Sequence, residues 1–216
     1  MREGERRTVI RRIQEAALLF VMAGICSACG AARPVKYYVL DSGPVPTNAS
    51  SAQLPITLLV ARITAPLLYR DDRLVYGTGS VQLGTYEYER WAESPAAMVQ
   101  GMLVSSLRST GQYRSVVPVS SSVRGDYVVR GHLYALDEVE KPELAGRFSL
   151  EIELFDPKSG TTVWTDSYLH DEPVTGKAVT DVVEALDKNV HTGLQQLTSD
   201  LGQYFASHPS HLTAAQ

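Results

Sequence analysis

Between residues 179 and 205 apolar side chains return every three or four positions: Val179, Val182, Val183, Leu186, Val190, Leu194, Leu197, Leu201, Tyr204 and Phe205. At 3.6 residues per turn they make one stripe along about seven turns of helix. A helix in water draws its stability from covering such a stripe, so this one requires a sheet or a second subunit against it. The chain supplies strands immediately before it. Residues 127–138, 147–156 and 161–170 read as three long β segments. In the second, Phe148, Leu150, Ile152 and Leu154 alternate with Ser149, Glu151 and Glu153, which buries one face and leaves the other wet or paired with a partner. Pro157-Lys158-Ser159-Gly160 joins the last two as a hairpin loop.

Upstream, residues 56–63 form an aliphatic, β-branched run that ends before Pro66, the pattern of a central strand buried on much of both faces. Residues 73–76 and 81–89 read as shorter strands around the turn Gly77-Thr78-Gly79, and 115–119 as another strand. Ser94-Pro95 offers a cap and a proline at the first helical position. Met98, Val99, Met102, Leu103 and Leu107 then keep helical spacing until Gly111. The expected fold is α+β: a single domain with a mixed or antiparallel sheet and two main helices packed on one face.

The beginning of the chain has another character. Arg2, Arg6, Arg7, Arg11 and Arg12 precede an apolar stretch at residues 16–25, far short of the roughly twenty residues that span a bilayer. Ile25-Cys26-Ser27-Ala28-Cys29-Gly30 follows, with small residues just before a cysteine. That is the pattern of a bacterial lipoprotein signal peptide, with Cys29 as the lipidated residue. Cys26 stands where leucine is commonest. Lipidation at Cys26 itself would set β-branched Ile25 beside the cleaved bond, where it fits badly. The alternatives are a redox or metal CxxC, which lacks a second cysteine pair, and plain secretion with Cys29 an ordinary residue. The expected organisation is a signal peptide over 1–28, then a lipidated cysteine and flexible tether over 29–54 carrying a short first strand at about 36–41. The remainder of the domain covers 55–206, and a polar tail 207–216.

Removal of residues 1–28 leaves about 190, enough for one domain with its own core, and a single cysteine, hence no disulfide. The formal net charge of −4 becomes more acidic without the leader arginines, and no Lys/Arg cluster follows it. A basic nucleic-acid footprint is therefore not expected.

Catalytic patterns are sparse. His132 and His170 fall on strands, His191 in a helix, and His208 and His211 in the tail, without HExxH or CxxC-plus-His spacing. Gly77-Thr78-Gly79-Ser80 with Gly84 lacks the Lys-Ser/Thr of a phosphate loop and runs into strand residues. No Gly-x-Ser-x-Gly elbow occurs. Glu138, Glu140, Glu143, Glu151 and Glu153 offer carboxylates for glycosidase-type work. Glu151 and Glu153, however, continue the outward face of a strand, and 138–143 reads as a charged turn around Pro142. Tyr86, Tyr88 and Trp91 fit either a cross-strand packing set or an exposed aromatic patch, and Trp91, just before the helix cap, is the expected buried anchor.

Taken in order, Tyr37-Tyr38-Val39-Leu40-Asp41, the block from Ile63-Thr64-Ala65-Pro66 through Arg70 to Arg73-Leu74-Val75-Tyr76, and Trp91-Ala92-Glu93-Ser94-Pro95 resemble the ABC-type transport auxiliary lipoprotein family over about residues 36–206. The resemblance implies a non-catalytic, lipid-anchored protein without a cofactor. Its partners would be mammalian-cell-entry-type substrate-binding proteins and ABC transporter subunits that move lipids or other hydrophobic molecules, with homo-oligomerisation possible. Only Cys29 inherits a chemical role from it; Tyr37, Pro66, Arg73, Tyr76 and Trp91 inherit a structural or docking role at most. Gly30, in place of the aspartate that commonly retains lipoproteins in the inner membrane, implies the outer membrane, facing the periplasm. The competing expectations are a solute-binding lipoprotein, which usually needs two lobes, and an exported hydrolase using Glu151 and Glu153.

Overall fold

A computed structural model of the chain describes residues 12, 33–41, 54–78, 81–119, 123–140 and 142–208. Cys26 and Cys29 of the expected signal segment, the expected tether beyond Asp41, Gly79, Ser80 and His211 lie outside the described residues. From Val35 onward the chain forms one compact unit.

Its elements run β1 (Lys36–Tyr38), β2 (Leu54–Val60), a 3-10 turn (Leu67–Tyr69), β3 (Arg73–Gly77), β4 (Leu83–Trp91) and α1 (Pro95–Ser109). β5 (Tyr113–Pro118), β6 (Tyr127–Val139), β7 (Ala145–Asp156), β8 (Thr161–Pro173) and α2 (Val179–Ser207) complete it. The expected α+β domain with a mixed sheet and two helices is what the chain forms. Its first strand is shorter than expected, although Leu40 beyond it is buried.

β6 is the hub of the sheet. One edge holds β7 antiparallel from Val128↔Phe155 to Val139↔Ala145, and β7 holds β8 antiparallel. The other edge is shared between β2, parallel against residues 127–129, and β3, parallel against residues 137–139. Between them the chain stays on that edge: Thr64 N–H donates to the Gly131 carbonyl at 3.0 Å, and Leu133 N–H to the Thr64 carbonyl at 2.8 Å. β5 then adds to β2, and β4 and β1 add beyond β3. β2 is thus interior, flanked by β5 and β6, in keeping with its aliphatic, β-branched run.

Both helices join the core on one face. The apolar positions of β7 and the α2 stripe are buried together, and burying each Leu- or Phe-sized side chain contributes roughly 1.5–3 kcal/mol. Gly193 sets the closeness of approach: a Cβ there would come within 2.6 Å of the Tyr168 ring and 2.9 Å of Phe148. Beside it, fully buried Asn189 donates to the carbonyls of Gly146 at 2.8 Å and His170 at 2.7 Å and accepts from the Tyr168 hydroxyl at 2.9 Å. This amide ties the helix to two strands.

The helix starts differ from simple capping. Ser94 precedes α1 in extended conformation, but its hydroxyl makes no capping bond, and its carbonyl accepts from Ala97 and Met98 instead. At α2 the Asp181 carboxylate reaches back to the Ala178 N–H at 2.8 Å.

Candidate functional site

The helix-free face of the sheet is shaped by one irregularity. Leu133 pairs with Leu150, but Ala135 pairs with Ser149, so β6 carries an extra residue there. Such a bulge reverses the in-and-out alternation beyond it. Leu133 and Leu136 therefore both reach the core, while Tyr134 is exposed. Asp137, which strict alternation from Leu133 would drive among the helices, is moved to the opposite face.

There Asp137 lies opposite Arg147 on β7, beneath the 3-10 turn. The turn is a local consequence of the Ala-Pro motif. Pro66 caps it with ψ 158°, the Pro66 carbonyl accepts from Tyr69 N–H at 3.0 Å, and Arg70 Nε donates to the Ala65 carbonyl at 2.6 Å. Tyr69 is thereby held inward, and its hydroxyl donates to Asp137 Oδ1 at 3.2 Å. Arg147 is engaged elsewhere: Nε and an Nη each donate to an oxygen of Asp171 at 2.7 Å.

Tyr69, Asp137 and Arg147 floor an open cavity of about 830 Å³, walled by Leu83, Ala135, Val139 and Pro142, with Val81 at its rim. Burial pushes the Asp137 carboxyl up to about 6, helped by the Asp171 charge and opposed by the Tyr69 hydrogen bond and the Arg147 charge. The Arg147 hydrogen bonds hold Asp171 below the usual carboxylate range. Burial, reinforced by the Asp137 charge, raises the Tyr69 phenol.

A second, smaller depression of about 450 Å³ on this face collects Arg62, His132, Tyr134, Glu151 and Glu153. Thr64 Oγ1 meets His132 Nδ1 at 2.7 Å, and the Arg130 guanidinium lies 3.8 Å from the Phe155 ring centroid. Among the described residues no group of three or more His, Cys, Asp or Glu side chains is placed to hold a metal ion. Nor is any described helix long and apolar enough to cross a membrane.

The residues singled out in the sequence have separate environments. Tyr37 is exposed on the edge strand β1, and both it and Arg73 stand in register with Arg90 of β4. Arg73 is exposed and reaches Asp71 at 3.8 Å. Tyr76 meets Tyr86 edge-on at 5.0 Å and closes over Gly84, where a Cβ would come within 2.5 Å of its ring. Trp91 is fully buried; its indole N–H has no partner among the described residues. Pro66 shapes the turn that positions Tyr69. Glu138 accepts from the Tyr86 hydroxyl at 2.7 Å. Sequence reasoning missed Tyr69, Asp137, Arg147 and Asp171. A signal existed in Leu133 and Leu136, apolar residues three apart inside a strand, which is the spacing of a bulge.

Among solved structures the chain is similar to a protein from Xanthomonas campestris, with 17% identity, 80% of this chain and 99% of that chain covered, and a TM-score of 0.71. It is also similar to an uncharacterized protein at 17% identity, with the same coverage and a TM-score of 0.60. At that identity the likeness establishes the fold alone. A comparison with curated proteins finds no match. The model of the ABC-type transport auxiliary lipoprotein component matches residues 38–199, from the end of β1 well into α2. The chain therefore belongs to the ABC-type transport auxiliary lipoprotein family.

Proposed function

We propose that the mature chain is a non-catalytic accessory of an envelope ABC transport system, tethered through Cys29 to the periplasmic side of the outer membrane. The observation that supports this reading is the family match across residues 38–199, which covers most of the folded unit that follows the lipoprotein-type signal. A thioether-linked diacylglycerol with an added N-acyl chain anchors far more firmly than one acyl chain, whose binding is marginal. The system it serves is of the mammalian-cell-entry type and carries lipids or other hydrophobic molecules. Docking falls to surfaces away from the helices, including the β1 edge where Tyr37 is exposed and Arg73 lies nearby in register.

Detergent pull-down of the full-length protein from native membranes tests the partner. A mammalian-cell-entry-type subunit and its ABC transporter should copurify, and recovery of neither would overturn the reading. Labelled palmitate tests the anchor: incorporation should persist in Cys26→Ala and vanish in Cys29→Ala. Fractionation of the labelled protein with the inner membrane would reverse the assignment made from Gly30.

A further inference from the structure

We infer that the cavity above Asp137 binds an organic ammonium ion, its charged head on Asp137 and an aliphatic chain along the apolar walls. This cavity alone carries the inference, independently of the transport reading. Asp137 is only 4% exposed, yet it lines the cavity. Its Oδ1 accepts from Tyr69, and its Oδ2 accepts no hydrogen bond among the described residues. A carboxylate so deeply buried and half satisfied is costly without a partner.

Charge selects the class of that partner. Arg147 is held in a two-bond pair with Asp171, so that pair is nearly neutral, and the floor keeps the negative charge of Asp137 in excess. An anion would meet that charge. A bare calcium ion requires six to eight oxygen ligands, and the described residues provide no such cluster. An ammonium group suits the floor: it donates to Asp137 Oδ2 and has the Tyr69 hydroxyl oxygen beside it as a further acceptor. The walls select its body, because Leu83, Ala135, Val139 and Pro142 offer apolar contact and Val81 at the rim is 95% exposed. About 830 Å³ lies within the range of small-molecule sites, roughly 300–1,000 Å³, and leaves room for a chain behind the head.

The test uses the mature chain with n-octylammonium, n-octanoate and n-octanol below their aggregation limits, followed by calorimetry at pH 7.5. Octylammonium should bind and octanoate should not, with octanol at least about tenfold weaker, the worth of one hydrogen bond to a charged group. Asp137→Asn should weaken octylammonium by a similar factor. Binding should also fade as pH drops below about 6, where Asp137 takes up a proton. Of the groups facing it, Tyr69 and Arg147 stay protonated across that range and Asp171 stays ionised. The Asp137 carboxyl carbon, followed by NMR in the wild-type protein, gives a readout independent of any variant's folding: bound octylammonium should lower its titration midpoint. An unmoved midpoint, equal binding of octanol, or undiminished binding by Asp137→Asn would overturn the inference. Binding of a lysine-containing peptide without octylammonium would also overturn it and assign the cavity to a protein partner.

Discussion

Two buried polar side chains, Asn189 on the helix side of the sheet and Asp137 on the bare side, are treated in opposite ways. Asn189 makes three hydrogen bonds, to Gly146, Tyr168 and His170, which use both its amide N–H groups and its oxygen. Asp137 makes one, to Tyr69, and faces a cavity. A buried polar group that is fully satisfied fixes a packing arrangement, whereas one left partly satisfied lowers stability and marks a place where something else completes it. The same sheet therefore has a structural face and a receptive face, and substitutions at the two residues should move stability in opposite directions.

The largest effect is expected on the helix side. Asn189→Leu strands the Tyr168 hydroxyl and the Gly146 and His170 carbonyls together, and should lower unfolding free energy by about 3 kcal/mol or more. The midpoint of urea unfolding measures it. A loss under about 1 kcal/mol would erase the distinction between the two faces.

Asp137→Asn should do the reverse. Its folded carboxyl titrates near 6 against an ordinary 3.8, so the unfolded chain ionises first as pH rises. The contribution of Asp137 to wild-type stability is therefore greatest below about pH 4, falls as pH climbs to about 6, and is level above it. The asparagine removes that slope and should raise stability at pH 7 by about 3 kcal/mol, with almost no difference left at pH 3.5. Paired urea titrations across pH isolate this contribution, since that of Asp171 is common to both proteins.

A smaller effect is expected where the helix meets the sheet. Gly193→Ala places a methyl 2.6 Å from the Tyr168 ring, a cost of about 1–3 kcal/mol that alanine's better helix propensity offsets by up to about 1 kcal/mol. Thermal unfolding should show a net loss. A gain would mean that α2 slides over β7 and β8 more freely than the Asn189 bonds suggest.

Periodicity made the structural face readable from the sequence. The α2 stripe, the β7 alternation and the Ser94-Pro95 start each carry a repeat or signal that backbone geometry alone explains, and each stands close to its expected bounds. Asn189 lies on that same stripe, three residues after Leu186, but its partners come from strands more than fifteen residues away in sequence. The receptive face was not readable, because it depends on one inserted residue. A single bulge between Leu133 and Ala135 changes which face Asp137 occupies, and only after pairing is known does the change become visible. Tyr69 was hidden for a related reason: a three-residue turn is too short for any period, and only the Ala65-Pro66 step hinted at it. The motif residues Tyr76 and Trp91 report on packing, while the cavity assembles from β6, β7 and the turn.

The smallest predicted effect probes whether Arg147 belongs to the floor of the cavity or to its own pair. Its side chain and that of Asp171 are about two-fifths exposed, so solvent screens the attraction, and such pairs are worth at most about 1 kcal/mol. Arg147→Lys keeps the charge but removes the two-pronged geometry, and should change stability by no more than about 0.5 kcal/mol. What should move is the Asp171 carboxyl, which the Arg147 hydrogen bonds now hold down and which should rise toward its ordinary range, while Asp137 stays near its present midpoint because burial dominates there. NMR titration of both carboxyl carbons distinguishes the cases. A large fall in the Asp137 midpoint would mean that the ammonium introduced by Arg147→Lys had turned into the cavity and taken the place of a ligand, which would itself identify the charge that this site accepts.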